Sequence, residues 1–321
     1  MNKLIEKAAS IPVSDAVPVV SVAPVTLAAP DRGIDLELRV SAPVTGDRLP
    51  VIVLSHGHGP SHYIPSLDGY GPVAQFWAAH GFVVIQPTHL NAKIYALGPD
   101  APGAPLFWRS RVEDMSLILD RLDEIEAQAP MIAGRIDREK IAAVGHSVGG
   151  QTVGMVLGAG MIDVENGGPA IVMRDDRYKA GVLLAAPGNG GDSLSDFARE
   201  NYRALNPDFS TMSTPTLVVV GDEDDNPHLT TRGAEWHTDP YTNGPGARAM
   251  LTLFGGGHGL GGIAGYDAKE TDDEDPERLA TTQRMVWAWL RSALYPGDTA
   301  WSEARTGLAE SGGSLGRVDE K

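Results

Sequence analysis

Gly145-His146-Ser147-Val148-Gly149 reads G-x-S-x-G, and its flanks give the pentapeptide meaning. Lys140 to Val144 before it is a short apolar run of the kind that forms a buried strand. Gly150 to Leu157 after it opens a buried helix. A serine on so tight a strand-to-helix turn is a nucleophile elbow. The glycines are needed because the turn is sharp and the neighbouring elements pack close. The helix N-terminus behind the serine favours developing negative charge.

Such an elbow predicts a sheet of strands alternating with helices. Val19 to Ala28 and Leu36 to Val44 alternate as two antiparallel strands around the turn residues Pro30-Asp31-Arg32-Gly33. Pro50 to Leu54 is continuously apolar and reads as a central strand. Gly71 to His80 reads as a helix closed by Gly81, and Phe82 to Gln86 as another buried strand. Asn91 to Leu106 is a loop rich in proline and glycine. Arg109 to Ala127 reads as one long amphipathic helix, with Val112, Met115, Leu119, Leu122 and Ile125 on its apolar face. Ala180 to Ala186, Thr216 to Val220 and Ala249 to Phe254 are further strands, and Leu279 to Leu294 is a closing helix. The fold class is α/β: a mostly parallel sheet with antiparallel N-terminal strands, helices on both faces and little or no lid. Residues 1–18 are expected to be an extension, 19–295 the folded domain and 296–321 a polar tail.

Composition narrows the function. The formal net charge of -16 makes nucleic acid and anionic membranes poor partners. The chain has no cysteine, so thiolate chemistry, disulfides and cysteine-based zinc sites are excluded. No run is long enough to span a membrane, and the lysine-bearing N-terminus lacks the apolar core of a secretory signal. The cytoplasm is therefore the expected compartment; secretion would require a leader preceding Met1. The oligomeric state is not legible.

A serine nucleophile needs an acid and a base, in the chain order Ser, Asp, His. Thr216 to Val220 runs into Gly221-Asp222-Glu223-Asp224-Asp225, and the spacing from the strand-ending glycine selects Asp224, with Asp225 and Asp222 in reserve. His258 lies in Gly255-Gly256-Gly257-His258-Gly259, after the last strand, where glycines let the backbone approach the serine. The N–H groups of Val148 and His58 are the expected oxyanion donors. His56, His58 and His62 also suggest a metal, but no carboxylate follows at ligand spacing, so neither metal nor cofactor is expected. His146 is expected to pack beneath the elbow. Tyr63, Phe107 and Trp108 are candidate aromatic walls of the substrate pocket.

At this point the chain resembles the serine-dependent α/β-hydrolases. It is most similar to the platelet-activating-factor-acetylhydrolase-like and dienelactone-hydrolase-like branch, with bacterial cutinase-like polyester hydrolases nearby. The resemblance rests on Leu54-Ser55-His56-Gly57-His58-Gly59, Arg111-Val112-Glu113-Asp114 through Leu122, Arg135-Ile136-Asp137 and the elbow itself. It implies Ser147 as nucleophile and the His58 and Val148 N–H groups as oxyanion donors. The acetylhydrolases carry their acid on the strand after the elbow helix, but Gly181 to Ala186 holds no acid, so the role passes to Asp224. That departure turns the expectation away from a phospholipid substrate. The missing cysteine does the same for dienelactone hydrolysis.

The expected function is a carboxylesterase-type hydrolase working through an acyl-enzyme, on small to medium or polymeric esters. Amide and thioester substrates would use the same machinery. The competing readings are a cutinase-like polyester hydrolase and a ligand-binding protein that keeps the scaffold without turnover.

Overall fold

The computed structural model describes residues 3–162, 169–311 and 313–321, so Met1 and Asn2 lie outside the described residues. The chain enters through β1 (Val19–Leu27), β2 (Leu36–Pro43) and β3 (Leu49–Ser55), then α1 (Gly71–Ala79) and β4 (Val83–Pro87). Helices α2 (Trp108–Asp120) and α3 (Leu122–Gln128) lead to β5 (Ile136–His146) and α4 (Val148–Val156). Two short strands, β6 (Gly160–Met161) and β7 (Ile171–Val172), precede β8 (Tyr178–Leu184), α5 (Asp196–Asn201) and β9 (Pro207–Asp208). The last part holds β10 (Thr216–Gly221), α6 (Asp239–Asn243), β11 (Ala247–Leu253), α7 (Pro276–Leu294), α8 (Ala300–Glu310) and β12 (Gly316–Glu320).

Among the described residues the main sheet runs in the order β1-β2-β4-β3-β5-β8-β10-β11-β12. The six strands from β4 to β11 pair in parallel, and β1, β2 and β12 are antiparallel to their neighbours. This is the α/β-hydrolase fold that the alternation of apolar runs predicts. Because strand side chains alternate in direction, β3 and β5 feed two cores. Ile52, Leu54, Ala142 and Val144 pack with α1, α7 and α8, while Val51, Val53, Ile141 and Ala143 pack with α2, α3 and α4. The parallel arrangement sets the ends of β3, β5, β10 and β11 along one sheet edge, where candidate residues converge.

Three expectations change. The predicted helix over Arg109 to Ala127 breaks at Arg121, whose φ of -117° lies off the helical region. Leu122 and Ile125 nevertheless stay buried in the same core as Val112, Met115 and Leu119. The expected tail is structured: α8 packs Trp301, Ala304 and Leu308 onto the core, and β12 adds an antiparallel edge strand to β11. Trp301 donates from Nε1 to Glu320 Oε1 at 2.8 Å and stacks edge-on against Trp289. The N-terminal extension is also docked, with Ala8 and Ile11 buried and Glu277 accepting from the N–H groups of Lys7 and Ala8.

Trp301→Ala should therefore cost about 3–5 kcal/mol of stability, the range for deleting a buried aromatic. A urea-midpoint shift worth less than about 0.5 kcal/mol, normal for an exposed residue, would contradict this packing.

Candidate active site

Ser147 sits between β5 and α4 with φ 56° and ψ -124°, outside the regions open to ordinary residues. Such strain costs about 1–3 kcal/mol and is kept where surrounding contacts over-determine it. Here the Ser147 N–H donates to the carbonyl of Leu184 at the end of β8, at 2.9 Å. The next residue, Val148, opens α4, so its N–H has no carbonyl within the helix to serve. Among the described residues Ser147 Oγ has no hydrogen-bond partner. In sites of this kind the serine–imidazole bond commonly tightens only with substrate bound.

Of the acids that follow β10, Asp224 is the one the fold buries; Asp222, Glu223 and Asp225 are exposed. Asp222 accepts from the Gly255 N–H and helps shape the neighbouring turn. Asp224 receives the His258 Nδ1–H, with Oδ2 at 2.9 Å and Oδ1 at 3.1 Å. Burial alone would raise the Asp224 carboxyl, but the facing imidazoles of His258 and His237 outweigh it and hold the group well below the ordinary carboxylate range. Burial likewise pulls His258 down, but Asp224, with Asp273 and Asp272 further out, leaves its imidazole raised above the ordinary value. Asp273 also shapes the loop, accepting from the N–H groups of Gly257 and Gly261 at 3.0 and 3.1 Å. A Cβ on Gly259 would stand 2.2 Å from Asp273 Oδ1, so glycine there is a packing requirement.

His146 links His258 to the loop that carries Gly57 and His58. Its Nε2 donates to the His258 carbonyl at 2.8 Å, which leaves Nδ1 to accept from Tyr70 Oη at 2.8 Å. Tyr70 Oη in turn accepts from the Gly57 N–H at 3.0 Å. Burial, with His258 alongside, pushes the His146 imidazole down to about 3, so it is neutral as this chain of bonds requires. On its other side the loop is held by the fully buried Arg111. That guanidinium donates to the His56 carbonyl, to Ser55 Oγ, to Asn91 Oδ1 and to Thr152 Oγ1 on α4. His58 therefore begins a segment whose preceding backbone is clamped from both sides.

Among the described residues the ring nitrogens of His56, His58 and His62 do not gather into a ligand cluster. His56 donates from Nδ1 to the Gly57 carbonyl and accepts at Nε2 from the His89 N–H, so both ring nitrogens are engaged. His58 Nδ1 accepts a hydrogen bond from Asn91 Nδ2, and His62 is exposed.

Of the three candidate aromatic walls, Phe107 lines a cavity of about 230 Å³ together with His58, Leu90 and Leu97. Trp108 lines a neighbouring groove of about 470 Å³ with Leu106 and Tyr202. Tyr63 lies elsewhere, packed where a Cβ on Gly265 would meet its ring. An apolar cluster joins Val148 of the elbow to Leu106, Leu194, Leu205 and Trp236.

His237 is the residue that sequence reasoning missed. It is buried in the 3-10 turn Gly233–Thr238 that precedes α6, and its Nδ1 donates to the Ala186 carbonyl at 2.8 Å. Its Nε2 lies 3.3 Å from Asp224 Oδ2, off the line of a good hydrogen bond. No local pattern marks it, because its partners come from the ends of β8 and β10.

Residues 125–274 match the prolyl oligopeptidase family, a stretch that takes in Ser147, Asp224 and His258. The chain is also 26% identical over 174 residues to platelet-activating factor acetylhydrolase of Cavia porcellus, an alignment covering 44% of this chain and 35% of that protein. No helix among the described residues is long and apolar enough to cross a membrane. The sheet order, the strained serine and both similarities give this chain the α/β-hydrolase fold and make it similar to the serine hydrolases of that superfamily, a platelet-activating factor acetylhydrolase among them.

Proposed function

We propose that this chain is a carboxylic ester hydrolase of the carboxylesterase type, with Ser147 as nucleophile, His258 as base and Asp224 as the acid that orients it. The observation carrying the reading is the Asp224–His258 hydrogen bond, fixed beside the elbow by the bond from His146 to the His258 carbonyl. In this reading His258 Nε2 takes the Ser147 proton as Oγ attacks the ester carbonyl. The tetrahedral oxyanion is stabilised by the Val148 and His58 N–H groups. The imidazolium then protonates the leaving alcohol, and an acyl-enzyme on Ser147 remains. Water activated by His258 releases the acid and restores the serine.

The groove beside Leu106, Trp108 and Tyr202 is linked to the elbow through the apolar cluster of Leu106 with Val148, and in this reading it takes an acyl group of small to medium size or a segment of a polyester. A peptidase is the second reading, favoured by the match to the prolyl oligopeptidase family. The two separate on a panel of p-nitrophenyl esters, polyester film and Xaa-Pro anilides. The ester reading expects turnover of the esters at far higher kcat/KM than of any anilide; the reverse order would replace it.

Ser147→Ala should lower kcat on a p-nitrophenyl ester by about 10⁴-fold or more, leaving only what binding and the oxyanion donors supply. Turnover retained within about tenfold of the parent would refute the nucleophile assignment.

The pH dependence follows from the same contacts. The base must be neutral, and Asp224 holds His258 protonated beyond its ordinary range. The acid limb of kcat/KM should therefore have its midpoint above about 6.5, and Asp224→Asn should move it downward. The raised His258 adds stability below about pH 6.5 that is lost as pH rises through its folded value. The lowered Asp224 adds stability above about pH 3.9 that is lost on acidification toward its folded value. A midpoint below 6.5 that is indifferent to Asp224→Asn would contradict the coupling.

A further inference from the structure

A neutral histidine that donates from Nδ1 carries a bare lone pair on Nε2. His237 donates from Nδ1, since the Ala186 carbonyl can only accept, and Nε2 is the ring nitrogen left to meet another group. Its Nε2 faces a carboxylate oxygen of Asp224 at 3.3 Å, in a place where both side chains are almost wholly shielded from water. A ring nitrogen and a carboxylate oxygen facing each other in a buried site call for a positive centre between them, a proton or a cation. Nε2 of His237 accordingly has no hydrogen-bond partner. Nδ1 of His258 lies 2.9 Å from the same Asp224 oxygen. The three donor atoms fall within 4.8 Å of one another.

We propose that Asp224, His237 and His258 form a binding site for a divalent cation of the zinc type, and that the ion switches the hydrolase off. Imidazole nitrogen and carboxylate oxygen are the donors such ions take, at about 2.0–2.2 Å, so tetrahedral edges run about 3.3–3.5 Å. The two measured edges, 2.9 and 3.3 Å, need only a small opening to reach that size. The outer contact is already built. Metal-bound histidines usually pass their second ring N–H to a backbone carbonyl or carboxylate, and His237 does so to Ala186. His258, whose side chain is about one-third exposed, is the way in and leaves room for water as a fourth ligand.

Inhibition follows from the tautomer. An ion on Nδ1 of neutral His258 moves the ring proton from Nδ1 to Nε2, with no proton lost or gained. Nε2 is the nitrogen left to serve Ser147, and once protonated it can no longer accept the serine proton. The ion also takes Asp224 away from the base. The inhibitory half rests on the proposed ester hydrolase; the binding half does not.

The test is equilibrium dialysis of chelator-stripped protein against Zn²⁺ in chelator-free buffer, beside His237→Gln, His237→Phe and the exposed-surface control His62→Ala. Circular dichroism checks that each variant is folded. Wild type and His62→Ala should each take up one tightly held ion. Loss of His237 should weaken uptake at least about 10–100-fold, the loss known even for outer-shell partners of bound metals. Co²⁺ should give the visible bands of a tetrahedral site in wild type and lose them in both His237 variants. Zn²⁺ should slow fluorophosphonate labelling of wild type and be reversed by a chelator. Equal uptake by wild type and the His237 variants would place the ion on other histidines and overturn the proposal. No uptake by wild type would put a proton between His237 and Asp224 and overturn it equally. Because uptake and Co²⁺ spectra do not require turnover, failure of the ester reading leaves the binding result readable.

Discussion

The site depends on how closely three backbones approach at the elbow. A Cβ on Gly145 would lie 2.1 Å from the Gly149 carbonyl oxygen, and one on Gly149 would lie 2.1 Å from the Ser55 carbonyl oxygen. Any side chain at either position would drive α4 away from β5 or from the end of β3. With glycine at both, the first turn of α4 presses against the backbone of Ser55 and His56. The positive φ of Ser147 is a consequence of this packing, held by β8 through the Leu184 carbonyl.

Buried polar groups then tie the loops to that elbow. Arg111 reaches β3, the oxyanion loop, Asn91 and α4 from one guanidinium, and burial pushes it down to about 9. A buried cation is tolerable only when its donors are met by acceptors, and the carbonyl of His56 is one of them. On the opposite side the chain Gly57, Tyr70, His146, His258 carries one hydrogen bond to the next with a single consistent set of tautomers. His258 and the Gly57–His58 loop are thus positioned by the same buried histidine, which itself stays neutral.

Much of this was legible in the sequence. Parallel strands buried on both faces read as unbroken apolar runs, so β3, β8 and β10 stood out, and G-x-S-x-G between strand and helix placed the elbow. Asp224 and His258 were picked out by strand-end position and chain order, and the fold brings them into hydrogen-bond contact. What escaped depends on partners distant in sequence. His237 meets Asp224 only because two strand ends converge. Tyr70 and Asp273 take their places through backbone groups of other loops. The supposed tail did carry a signal, since Trp301, Ala304 and Leu308 fall at helical spacing. Its strand, Gly316–Glu320, reads as polar because an edge strand is covered on one side only and its charges discourage further pairing.

The central claim is that this fold activates one serine. Intact-protein mass spectrometry after treatment with a fluorophosphonate, on the parent chain and on Ser147→Ala, tests it most directly. The account predicts one covalent adduct on the parent and none on the variant. An adduct on the variant, or no adduct on either protein, would contradict it.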